Sequence, residues 1–166
     1  MLSTFPRLAL AGLTLLCTLE VQASEPTPAA NPEKNLIERG HYVARLGDCI
    51  ACHTAMGGAE MAGGLELKTP MGTIYSSNIT PDPETGIGQY SFEQFDKAMR
   101  QGVTPAGKNL YPAMPYPSYA KMSEDDMRAL YAYLMHDVAP VKMANLEADM
   151  GFPFNQRWGL ALWNRA

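Results

Sequence analysis

The chain has 166 residues, enough for one domain with a core of its own and too few for two comfortable ones. Charged residues make up 18% and apolar ones 46%, which excludes a disordered chain. A formal charge of -4 with no run of Lys or Arg excludes a nucleic-acid surface, so nucleic acid is not expected as a partner.

The first segment in chain order is not part of the fold. Residues 1–23 carry one basic residue, Arg7, then an apolar stretch from Leu8 to Leu19. Val21-Gln22-Ala23 follows as a small-x-small cleavage site before Ser24, so the segment reads as a signal peptide. The apolar stretch is too short to span ~30 Å of hydrocarbon, and an uncleaved anchor or a buried helix is the alternative. A lipoprotein signal at Cys17 is disfavoured by the bulky Leu16. Residues 24–32 are Pro/Ala-rich and read as a flexible tether. Removal of the leader takes Cys17 with it and leaves two cysteines, Cys49 and Cys52, in an exported chain.

Asn31-Pro32-Glu33 is a helix start, with an N-cap residue, a proline at the first position and an acid after it. The helix is expected over 33–46, with Leu36, Ile37, Val43, Ala44 and Leu46 as its apolar positions. Cys49-Ile50-Ala51-Cys52-His53 follows at once, in the C-x-x-C-H form of a c-type haem attachment site. Two intervening residues place both sulfurs on one side of a helical turn, where they can add to the two vinyl groups of one porphyrin. His53 then aims its imidazole at the iron. A disulfide between such close neighbours would stabilise little. A zinc site would need a second ligand pair that no further cysteine supplies.

No helical period is found between the motif and residue 90. Thr69-Pro70-Met71-Gly72 reads as the turn of a small hairpin, followed by a loop whose Ser, Thr and Asn groups could hold the haem propionates or simply face solvent. Ser91 caps a second helix to Gln101, with Gln94 in the box position and Gly102 at the exit. Ser123 caps a third through about His136, with three acids in its first turn and Ala139-Pro140 beyond its end.

A sixth iron ligand must come from the remaining side chains, and methionine opposite histidine raises the iron potential. Most of the eleven methionines read as core or helix-face residues. Met114 is different, because Pro112, Pro115 and Pro117 hold its segment non-helical and a residue before proline is pushed to an extended conformation. Met114 is therefore the expected distal ligand, with Met71 the second choice. His41 and His136 read as helix-surface or helix-contact residues, although either could replace methionine. Three helices and a hairpin around one haem make an all-α domain that looks like the class I cytochrome c fold, over residues 33–140. Residues 141–166 form an extension that packs on the domain or on a partner.

The strings "GHYVARLGDCIACHT", "TPMGTIYSSNITPDPETGIGQYSFEQF", "LYPAMPYPSYAKMSEDDMRALYAYL" and "PFNQRWGLALWN" resemble the first haem domain of the cytochrome c subunits of membrane-bound alcohol, gluconate and related sugar dehydrogenases. The resemblance implies haem c bound covalently by Cys49 and Cys52, with His53 and Met114 as axial ligands. It also implies a periplasmic protein taking electrons from a dehydrogenase with a flavin or quinone cofactor. Those electrons would pass to a quinone, an oxidase or another cytochrome. The family usually carries three C-x-x-C-H motifs and this chain has one, so it is expected to be a stand-alone single-haem relative or a truncated subunit. Within that family, quinone reduction and membrane anchoring are associated with the domains of larger relatives that this chain lacks.

Two other functions compete with a non-catalytic electron carrier. A five-coordinate haem enzyme or gas-binding protein, peroxidase-like, needs an open distal site, against which the "YPAMPYP" loop argues. A haem-free dithiol module would leave His53 without a purpose.

Overall fold

A computed structural model of the chain describes residues 31–163. The expected signal peptide, residues 1–23, and the tether up to residue 30 lie outside the described residues. Helix α1 spans Pro32–Leu46, and its first turn is closed by the Asn31 side chain, which accepts from the Glu33 N–H at 3.1 Å. A single turn, α2, covers Cys49–Cys52. Strands β1 (Glu66–Thr69) and β2 (Gly72–Tyr75) form the expected hairpin, with Thr69 paired to Gly72 across the turn. Helix α3 spans Phe92–Gln101, the single turn α4 spans Tyr116–Tyr119, and α5 spans Glu124–His136. A two-residue strand β3, Asp149–Met150, then pairs with β2, and a 3-10 turn over Arg157–Gly159 leads into α6, Leu160–Trp163.

The caps read from the sequence are made. Ser91 and Gln94 exchange both hydrogen bonds of a capping box, and Gly102 ends α3 in the left-handed region at φ 64°. The Ser123 side chain accepts from the Asp126 N–H and starts α5. Such caps satisfy N–H and C=O groups that a helix leaves without internal partners.

The core forms where α1 crosses α5. Val43 and Ala44 from α1 meet Met127, Leu130, Tyr133 and Leu134 from α5, and Phe95 and Met99 of α3 join the same cluster. Leu36 and Leu46, expected among the apolar positions of α1, are instead 38% and 69% exposed. The crossing is made at Gly40, where a Cβ would stand 2.6 Å from both the Ala129 carbonyl carbon and the Tyr133 Cβ. His41, one residue on, stacks on Tyr133 at 5.1 Å between ring centroids. Its Nε2 accepts from Arg45 Nε–H at 3.2 Å, so it is a helix-contact residue.

Candidate haem site

The corner between α1 and α2 is made by Gly47 and Asp48, the latter in the left-handed region at φ 56°. In the turn that follows, Cys49 is buried, Cys52 is exposed, and neither is in a disulfide. Burial pushes the Cys49 thiol up to about 11. His53 closes the turn, its N–H donating to the Cys49 carbonyl at 2.8 Å. The five residues of the motif thus occupy one compact turn, as their spacing predicts.

The imidazole of His53 is oriented by backbone. Its Nδ1 lies 2.7 Å from the Ser77 carbonyl oxygen. A carbonyl only accepts, so Nδ1 carries the proton and Nε2 presents a lone pair. Burial lowers the pKa of this ring, with the hydrogen bond to Ser77 opposing. Ser77 is placed by a ladder beyond the hairpin. Gly64 N–H donates to Ser76 O, Ser76 N–H to Leu65 O, and Ile79 N–H to Met61 O. Gly63, at φ 75°, lies directly against the Ser77–Asn78 peptide; a Cβ there would stand 2.6 Å from both Ser77 O and Asn78 N.

Met114 is half-buried and packs against the same apolar cluster that contains Cys49. Its segment is held as a chain of tight turns, with Met114 N–H donating to Tyr111 O and Tyr116 N–H to Met114 O at 2.8 Å. Three contacts anchor it. Tyr119 Oη donates to the Gly47 carbonyl at 2.7 Å, tying this segment to the corner before Cys49. The Tyr116 ring covers Gly102, where a Cβ would stand 2.8 Å from it. Arg100 donates to the carbonyls of Ala120 and Met122 at 2.8 and 2.9 Å. Met71, by contrast, is at the exposed tip of the hairpin, where its carbonyl accepts from Gly151 N–H.

Part of the loop after the hairpin turns its polar side chains inward. Asn78, Thr80 and Asp82 are buried. Asn78 Oδ1 accepts from Thr80 N–H and Thr80 Oγ1, while its Nδ2 donates to Thr85 Oγ1, Val141 O and Met143 O. Asp82 Oδ1 accepts from the Thr85 hydroxyl and N–H at 2.7 Å each and from Glu84 N–H, which together hold its carboxyl below the usual range. Of the Ser, Thr and Asn groups expected to hold propionates or face solvent, Asn78 and Thr80 do neither: their side chains are spent on one another and on fastening residues 141–143. Among the described residues no buried side-chain polar atom lacks a partner. The roles of Gly63, Tyr119, Arg100 and Asn145 are not read from the sequence, because each depends on a partner remote in the chain.

A helical domain whose C-x-x-C-H turn places its first cysteine in the core, with an oriented imidazole and a methionine segment packed on the same core, is that of a c-type cytochrome. Comparison with known proteins agrees: the Cytochrome c family model matches residues 37–137, and the chain belongs to that family, whose members bind haem c covalently and transfer electrons. The chain is 60% identical over 128 residues to the gluconate 2-dehydrogenase cytochrome c subunit of Pantoea cypripedii, covering 77% of this chain and 29% of that one. It is 56% identical over 135 residues to the cytochrome c subunit of the quinone alcohol dehydrogenase of Gluconobacter oxydans (strain 621H), covering 81% and 28%. The fructose dehydrogenase cytochrome subunit of Gluconobacter japonicus is 45% identical over 161 residues, covering 95% and 33%. The chain therefore spans about three tenths of the length of these relatives.

Proposed function

We propose that this chain carries single electrons through one haem c, attached by Cys49 and Cys52 and ligated by His53 and Met114, on behalf of a periplasmic dehydrogenase. The donor set fits that group: two unpaired thiols on one helical turn, an imidazole with its Nε2 lone pair available, and a thioether packed against the cluster that holds Cys49. The haem, when bound, supplies the Fe(III)/Fe(II) couple. The residues supply the rest. Cys49 and Cys52 fix the ring in place, Ser77 holds the His53 tautomer, and the prolines around Met114 stiffen the segment that must keep a weak thioether bond. Among the described residues no helix is long and apolar enough to cross a membrane.

The dehydrogenase is proposed as electron donor because relatives at 45–60% identity are named as cytochrome subunits of gluconate, alcohol and fructose dehydrogenases. The acceptor would be a quinone, an oxidase or another cytochrome. The observation that carries the ligation is the commitment of His53 Nδ1 to a backbone carbonyl, which is how a metal-binding histidine is held. The test is the optical spectrum of the exported protein, ferric and dithionite-reduced. A weak far-red ferric band, lost in Met114→Ala, is expected. Its absence in the wild type, or survival in the variant, overturns the Met114 assignment, and high-spin character in the wild-type ferric protein would favour an open-site enzyme.

A further inference from the structure

The Ser77–Asn78 peptide is engaged at both ends. Its carbonyl accepts from His53 Nδ1 at 2.7 Å, and its N–H, that of Asn78, donates to Asn145 Oδ1 at 2.6 Å. The C=O and N–H of one peptide share a resonance system. An acceptor on the N–H therefore pushes electron density toward the carbonyl oxygen, and hydrogen bonds in such a chain strengthen one another. Asn145 is itself aimed. Its Nδ2 donates to the Thr85 carbonyl at 2.9 Å, so the amide oxygen, not the nitrogen, faces Asn78. Gly63 adds the fourth constraint, because only a residue without a Cβ can lie against this peptide.

We propose that Asn145 is a positioning residue for the haem iron, tuning the basicity of His53 through the Ser77–Asn78 peptide. This rests on the reading of His53 as the proximal ligand. A more basic Ser77 oxygen draws the Nδ1 proton, gives the imidazole more anionic character and makes Nε2 a stronger donor. A stronger donor favours ferric over ferrous iron and lowers the reduction potential. Asn145 lies 92 positions from His53 in the sequence and touches neither His53 nor, in this reading, the cofactor. Its contribution passes through the peptide alone.

The experiment uses the haem-loaded protein with wild type, Asn145→Ala and Asn145→Asp. Asn145 is exposed, so its replacement leaves the core intact. Two quantities are read: the reduction potential, and the proton resonance of His53 Nδ1–H in the diamagnetic ferrous state. Removing the acceptor in Asn145→Ala should raise the potential by a roughly three- to tenfold change in the reduction equilibrium, tenfold being about 59 mV for a one-electron couple. The Nδ1–H resonance should move upfield as its hydrogen bond weakens. Asn145→Asp restores an acceptor and should return that resonance to or beyond its wild-type position. A purely structural role would move thermal stability and leave the resonance where it was. The proposal is overturned if Asn145→Ala shifts the Asn78 amide signal, as breaking that hydrogen bond must, while His53 Nδ1–H and the potential stay put. A wild-type spectrum in which the His53 ring protons carry no haem ring-current shift overturns the ligation itself, and the proposal with it. The two failures are thus read from different signals.

Discussion

Replacing Gly40 by Ala should destabilise the protein, although in an unhindered helix the same change stabilises by about 1 kcal/mol. The reason lies at the α1/α5 crossing. An added Cβ would stand 2.6 Å from the Ala129 carbonyl carbon and the Tyr133 Cβ, and closer still to the Ala129 carbonyl oxygen. Non-bonded carbon atoms settle at about 3.5–4.0 Å, so the helix axes must separate by roughly 1 Å. A gap of that size forfeits about a quarter to a half of each dispersion well it opens. Val43, Ala44, Met127, Leu130 and Tyr133 all depend on the crossing. Spread over two facing turns, the loss comes to about 3 kcal/mol, at the upper end of the cost of overpacked cores. Setting about 1 kcal/mol of helix propensity against it leaves a net ~2 kcal/mol. The assay is urea unfolding of the haem-loaded protein followed by far-UV circular dichroism. With a slope near 2 kcal/mol/M the midpoint should fall by about 1 M. An unchanged or raised midpoint would refute the reasoning, because it would mean that the helices yield without loss.

Two further outcomes follow from the polar contacts. Thr80→Val keeps the shape of a fully buried side chain but removes a hydroxyl that donates to Asn78 Oδ1 at 2.7 Å and accepts from Val141 N–H at 3.1 Å, so it should cost about 2–3 kcal/mol by the same urea assay; a change under about 0.5 kcal/mol would sink this account. Asp126 is held below its ordinary 3.8 chiefly by the Ser123 hydroxyl and then by Arg39. A depressed folded pKa gives stability that is present above the unfolded value and lost as pH falls through the folded one, so Asp126→Asn should flatten acid unfolding below about pH 4, by less than about 1 kcal/mol because the pair is partly exposed; an acid limb identical to wild type would show that the pair contributes nothing.

The three long helices are legible because their ends are written in local chemistry, whereas the single turns over Tyr116–Tyr119, in a proline-rich segment read as non-helical, and Leu160–Trp163 are not. Asn31-Pro32, Ser91 with Gln94, Gly102 and Ser123 each satisfy backbone groups within three or four positions. The hairpin is legible for the same reason, since a two-residue turn fixes its own register. The motif Cys49–His53 is one turn long and needs no distant partner to be read. What escapes is what depends on closeness between remote segments. A glycine inside an amphipathic helix reads as a defect, and the apolar Leu36 and Leu46 read as part of its buried face. The crossing inverts the reading of Gly40, which is where the two helices touch, while Leu46, six positions on, lies off that face and Leu36, near the helix start, is also exposed. Strand β3 has two residues and hence no period to find. The polar run from Asn78 to Thr85 looks from sequence like a solvated loop. Its burial becomes visible only once residues 141–145 are laid over it.

Those residues after α5 also bear on the proposed ligation, which asks one small domain to hold two unlike donors, His53 and Met114, at fixed positions. On the histidine side, Val141, Met143 and Asn145 fasten the loop that follows Ser77. On the methionine side, Arg157 donates to the Asn109 carbonyl at 3.0 Å and lies over the Tyr111 ring, whose hydroxyl donates to the Phe154 carbonyl. Between them, β3 pairs with β2. One continuous segment, residues 141–157, thus touches the supports of His53 and of Met114 in turn, while the cluster at the α1/α5 crossing also packs against Met114. A thioether is a weak ligand and an imidazole a strong one, so under that proposal a shift in either support would change the iron's environment unequally. Fastening both supports with a single strand makes their displacements correlated. The strap contributes main-chain carbonyls at Val141, Met143 and Phe154 and side chains at Asn145 and Arg157, so its hold on both supports combines backbone position with two specific side chains.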